Sequence, residues 1–89
     1  MDARAIRMVV IDGLEAGAVR QASRTEFRDA FLDGSVDIEL AKLAMDSLAK
    51  MELCIAIEVG TGVSLAPEDL DRHETLAALV AEIARRVHA

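Results

Sequence analysis

Leu43-Ala44-Met45-Asp46-Ser47-Leu48-Ala49-Lys50-Met51-Glu52-Leu53, continuing as Cys54-Ile55-Ala56-Ile57-Glu58-Val59, is the stretch whose reading decides the fold. At about 100° per residue, Ala49, Leu53, Ala56 and Ile57 fall on one side of a helix, the side that meets a core. Cys54 lies at the edge of that side. Ser47, Leu48, Met51, Glu52, Ile55 and Glu58 fall roughly opposite. The predicted helix runs from Ser47 to Val59, with Asp46 or Ser47 capping its free N–H groups and Gly60 and Gly62 stopping it. A helix packed on one side has no need of Met51 and Ile55 on the other. An exposed apolar strip rimmed by carboxylates reads as a partner surface, and methionine repacks readily against different shapes. The competing reading is that Leu40 or Leu43 folds over the strip as a satellite core.

Working outward, Ala3 to Ala16 has Ile6, Val9, Val10 and Leu14 at helical spacing, ending near Gly17. Val19 to Asp37 is of mixed polarity and reads mostly as loop, with a turn of helix around Glu26 to Leu32 and a chain reversal at Asp33-Gly34-Ser35. Ile38 to Leu43 reads as an ordered loop or helical turns with Ile38, Leu40 and Leu43 inward. Pro67 opens a short third helix through Glu68-Asp69-Leu70. A last helix, from about Glu74 to Val87, carries Leu76, Leu79, Val80 and Ile83 on one face, and Arg85, Arg86 and His88 complement its dipole. No strand pattern persists. The expectation is an all-α protein: one domain over residues 1–89, a small three- to four-helix bundle with a long loop between its first and second main helices.

Composition narrows the function. The chain has 89 residues, 16 Asp and Glu against 10 Lys and Arg, and a net charge of −6. That balance argues against nucleic acid, whose phosphates demand a basic face, and suits a basic protein partner. Two phenylalanines are the only aromatic residues, too few for an aromatic-lined pocket or a base-stacking platform. Cys54, His73 and His88 share no metal-ligand spacing, and a lone cysteine forms no internal disulfide and suits a reducing compartment. No signal peptide and no apolar run of membrane-spanning length is legible. A cytoplasmic monomer without a membrane partner is expected. Neither histidine is placed by a motif to activate Ser47, so a hydrolase reading has no base. Glu52 and Glu58, a turn and a half of helix apart, have no evident pocket, and no catalytic residue is expected.

Ser47 stands where a helix start favours negative charge, so a phosphodiester on its Oγ would meet unpaired N–H groups. Asp46 beside it could help hold a divalent cation brought by a modifying enzyme. With these residues in view, Leu43 to Ile83 resembles the C-terminal half of an acyl carrier protein, in the phosphopantetheine-binding carrier family. Leu-Ala-Met-Asp-Ser-Leu (43–48) resembles that family's Leu-Gly-x-Asp-Ser-Leu. Met51-Glu52-Leu53 with Ala56-Ile57-Glu58 resembles its recognition helix. Gly62-Val63-Ser64-Leu65, then Pro67-Glu68-Asp69-Leu70, resembles its loop into the third helix, and Thr75-Leu76 its last helix start. Ala44 departs from the usual glycine, Gly60 from an acid, and Thr61 from a core phenylalanine, predicting a looser core there. Lys42 and Lys50 stand where acidic or neutral residues are common.

The resemblance implies a protein that catalyses nothing. A phosphopantetheinyl transferase would attach 4′-phosphopantetheine from coenzyme A to Ser47, using magnesium, with Asp46 supporting that contact. The arm's thiol would hold acyl intermediates as thioesters. Leu48, Met51, Glu52 and Ile55 would meet the acyl-loading, elongating or releasing enzymes. Met45 before Asp-Ser-Leu resembles polyketide-type carriers and points to a specialised polyketide-like or modified fatty-acid pathway. Two alternatives remain: a peptidyl or aminoacyl carrier, and an unmodified helical adaptor that uses the Met51–Ile55 strip.

Overall fold

The computed structural model describes residues 1–89. Its architecture is helical throughout: α1 (Ala3–Ala16), a 3-10 turn (Arg20–Ser23), α2 (Thr25–Leu32), a second 3-10 turn (Leu40–Leu43), α3 (Ser47–Thr61), α4 (Pro67–Leu70) and α5 (Leu76–Val87). The expected all-α bundle is present, and no helix is long and apolar enough to cross a membrane. A single isolated bridge pairs Glu39 with Thr75.

The α1–α3 contact is the spine of the bundle. Small residues let the two backbones approach closely. A Cβ added at Gly13 would stand 2.8 Å from the Ala56 Cβ, and one at Gly17 would stand 3.0 Å from the Ala49 Cα. Further along, a Cβ at Gly60 would stand 2.7 Å from a Val9 methyl. Gly60 therefore does not stop α3, which continues to Thr61. Gly62 ends it, with φ +80° in the left-handed region that glycine enters without penalty. Ile6, Val10, Ile11 and Leu14 of α1, Leu53 and Ile57 of α3, and Leu76, Leu79 and Ile83 of α5 meet in one core that excludes solvent. Each of these larger side chains contributes about 1.5–3 kcal/mol by leaving water. Ile11 joins this core although the face Ile6–Val9–Val10–Leu14 omits it. Cys54 is buried within the core rather than at its edge, and burial pushes its thiol pKa up, with Asp69 and Glu68 adding to the shift.

The segment expected to be mostly loop contains the eight-residue α2. Phe27 and Phe31, one turn apart, stack with centroids 6.1 Å apart, and Phe31 is buried. Arg28 reaches across to α1, pairing with Asp12 at 2.9 Å and Glu15 at 2.7 Å. The turn of helix read around Glu26 to Leu32 is thus present as the full α2, with tertiary contacts supporting it. The following link is fastened to the start of α5. Leu40 N donates to Glu74 O, Leu76 N donates to Ile38 O, and Asp37 Oδ1 accepts from Ala77 N at 2.9 Å. These bonds turn Leu40 and Leu43 into the core, so neither folds over the outer strip of α3 as satellite core. At the end of α3 the Thr61 hydroxyl donates to Ile57 O at 2.6 Å and accepts from Val63 N at 3.1 Å, tying the last turn to the loop that follows. Thr75 caps α5, its hydroxyl accepting from Ala78 N, so the helix starts at Leu76, as the Thr75-Leu76 resemblance implies.

Candidate functional site

The start of α3 is built by three consecutive backbone decisions. Ala44 closes the 3-10 turn in the left-handed region, φ 51° and ψ 42°, and reverses the chain away from the core. That conformation gives a physical reason for glycine at the corresponding place in the resembled motif. Met45 packs partly against the core. Asp46 then takes an extended conformation and caps α3, its Oδ1 accepting from Ala49 N at 2.8 Å.

Because the cap is Asp46, the Ser47 hydroxyl is not the capping group. Ser47 is the first helical residue and is exposed. The arrangement presents a primary hydroxyl in solvent at the positive end of a 15-residue helix. A hydroxyl so placed can be esterified. A phosphodiester formed on it would lie by the N–H groups of the first turn, which have no carbonyl within the helix to bond.

From Ser47 the outer face of α3 runs away as an apolar strip. Leu48 is 65% exposed, Met51 51% and Ile55 53%. Val59, 83% exposed, extends the strip by one more turn. Its spacing, four residues beyond Ile55 and still within the predicted helix, was the available signal, not followed to that last residue. Glu52 flanks the strip, partly buried, and Glu58 is exposed. Lys50, one turn from Ser47, does not stand as a free cation: its Nζ meets Asp71 Oδ1 at 2.9 Å, so the pair contributes little net charge at this end. The histidines lie in other roles. His73 Nδ1 is 3.0 Å from Asp69 O, and His88 Nε2 is 3.0 Å from Met1 O. No group of three or more His, Cys, Asp or Glu side chains is gathered for a metal ion.

The structure therefore brings together Asp46, Ser47, Leu48, Met51 and Ile55 along one edge and face of α3, with Glu52 at its flank. Comparison with known protein families matches residues 20–83 to the family described as "Phosphopantetheine attachment site". No curated protein and no solved structure gave a match.

Proposed function

The chain belongs to the phosphopantetheine attachment family, and on that premise we propose that residues 1–89 form one carrier unit whose arm is esterified to Ser47. The family is the attachment site for covalently bound 4′-phosphopantetheine, and its members work with phosphopantetheinyl transferases and biosynthetic enzymes. When attached, the arm supplies a terminal thiol that holds an acyl group as a thioester. The observation that carries the assignment to Ser47 is its exposed hydroxyl at the first position of α3, with Asp46 already supplying the cap.

The chain's own residues then have separable tasks. Asp46 fixes the first turn of α3, so the Ser47 oxygen sits on a rigid element rather than a loose loop. Its second carboxylate oxygen, not the one bonded to Ala49 N, would suit a magnesium ion carried by the transferase. Leu48, Met51 and Ile55 give partner enzymes an apolar contact, and Glu52 sets register at its flank. A tethered substrate reaches each partner's site at high effective concentration. The chain performs no bond-breaking step on its cargo in this reading. The pathway proposed is specialised, polyketide-like or a modified fatty-acid route. Met45 beside Asp46 and the Lys50–Asp71 pair, which lessens the negative charge at this end of α3, support it. The test is intact mass after incubation with coenzyme A, magnesium and a broad-specificity phosphopantetheinyl transferase. Wild type should gain one phosphopantetheinyl group and Ser47→Ala none. A folded wild type that gains nothing with several transferases, and is not already modified, would return the reading to an unmodified adaptor.

A further inference from the structure

Two recesses flank the segment that leads into Ser47. The larger, about 560 Å³, is rimmed by Glu39, Lys50, Asp71 and Glu74. The other, about 450 Å³, is a groove between the turn after α1 and the loop before α3, bordered by Ala18, Arg20, Gln21, Lys42, Ala44 and Asp46. Both are of the size that small molecules occupy, about 300–1,000 Å³, and both lie beside Ser47 along the chain. Their charges separate them. In the larger recess the single lysine is engaged by Asp71, leaving carboxylates to dominate the rim. In the groove, Arg20 and Lys42 take part in none of the six ion pairs of the chain. In a chain of net charge −6 this groove is bordered by two cations outside any ion pair against one carboxylate, Asp46.

The backbone marks the same place. Ala18, φ 60°, and Ala44, φ 51°, are the only non-glycine residues in the left-handed region. Ala44 borders both recesses and Ala18 borders this groove alone. Such conformations cost free energy for an L-residue and gather at ligand-holding segments. Gln21 ties the two walls, its Nε2 donating to Lys42 O at 3.2 Å. We propose that this groove is the resting berth of the arm carried by Ser47, with Arg20 and Lys42 attracting its phosphodiester and drawing the arm away from the α3 strip when no partner holds it. The proposal rests on the attachment reading above. The occupant is chosen by continuity, since Asp46 both borders the groove and caps the helix that Ser47 begins, and by charge, since a phosphodiester anion suits two free cations.

The experiment uses coenzyme A whose thiol already bears a nitroxide, transferred enzymatically to ¹⁵N-labelled protein, so the native Cys54 thiol stays untouched. Intact mass is read first. Failure to load refutes the attachment reading, and the berth with it. On loaded protein, the amide signals of Ala18–Gln21, remote from Ser47 in sequence, should broaden strongly, and those of Asp71–Glu74 much less. In the loaded double variant Arg20→Gln/Lys42→Gln the Ala18–Gln21 effect should fall about threefold or more, the population change expected from losing two exposed charge contacts. The control Arg4→Gln, an exposed cation on α1, should leave it unchanged. Loaded protein in which Ala18–Gln21 stay sharp, or in which Asp71–Glu74 broaden instead, overturns the berth while leaving the attachment intact.

Discussion

Replacing Ala44 by glycine should stabilise the protein, against the usual expectation for a glycine substitution. Ala44 sits at φ 51° and ψ 42°, where an L-residue's Cβ crowds its own carbonyl at a cost of about 1–2 kcal/mol. Glycine removes that cost. It also frees the unfolded chain, returning about 0.4–1 kcal/mol of the gain. The side chain is exposed, so little packing is lost. The net expectation is a gain of about 0.5–1 kcal/mol, and a rise of about 2–8 °C in Tm for a domain of this size. Urea titration followed by circular dichroism measures it, with an unchanged m-value showing that only stability moved. The control is Ala41→Gly, three residues earlier in the right-handed 3-10 turn, which should lose about 0.5–1 kcal/mol. If Ala44→Gly lowers stability as Ala41→Gly does, the left-handed assignment at Ala44 is wrong, and with it the account of how the chain turns into Asp46-Ser47.

Other outcomes follow from the same geometry. Gly13→Ala, ordinarily favourable within a helix, should instead destabilise by about 1–2 kcal/mol, because its Cβ would stand 2.8 Å from that of Ala56; equal or greater stability in thermal melts would refute the close α1–α3 contact. Met51→Glu and Ile55→Glu should each change folding stability by no more than about 0.5 kcal/mol while weakening use by partner enzymes, and a large loss of helix in circular dichroism would place those side chains in the core. The hydrogen bonds and charges of Arg85 and Arg86 hold the Glu82 carboxyl down at about 2. Its contribution to stability should therefore be complete above its ordinary carboxylate range and be lost as pH falls through about 2. Carboxyl chemical shifts read against pH should find Glu82 still ionised at pH 3.5, and titration near 4.5 would contradict the pairing.

Legibility followed the range of the forces involved. α1 and α3 were readable because their apolar residues repeat at helical spacing, and the exposure of Leu48, Met51 and Ile55 followed from the same rotation. The turn at Asp46-Ser47 was readable because capping is local chemistry, although only the structure assigns the cap to Asp46 rather than Ser47. Of α2 only a turn of helix around Glu26 to Leu32 was readable within a segment read mostly as loop, because part of its support comes from Arg28 bonding to Asp12 and Glu15, residues of another helix. Gly60 read as a stop because glycine usually is one; here it serves close packing against Val9. The left-handed backbone at Ala18 carried no signal, since alanine announces no turn. At Ala44 the only hint was the glycine of the resembled motif.

The most direct measurement of the central claim is peptide-level mass after transferase treatment. Trypsin cuts after Lys42 and Lys50, releasing Leu43–Lys50, whose only hydroxyl-bearing residue is Ser47. The account predicts that the mass of one phosphopantetheinyl group appears on this peptide and on no other, and that it vanishes in Ser47→Ala. Modification found on any other peptide, or retained in Ser47→Ala, would contradict it.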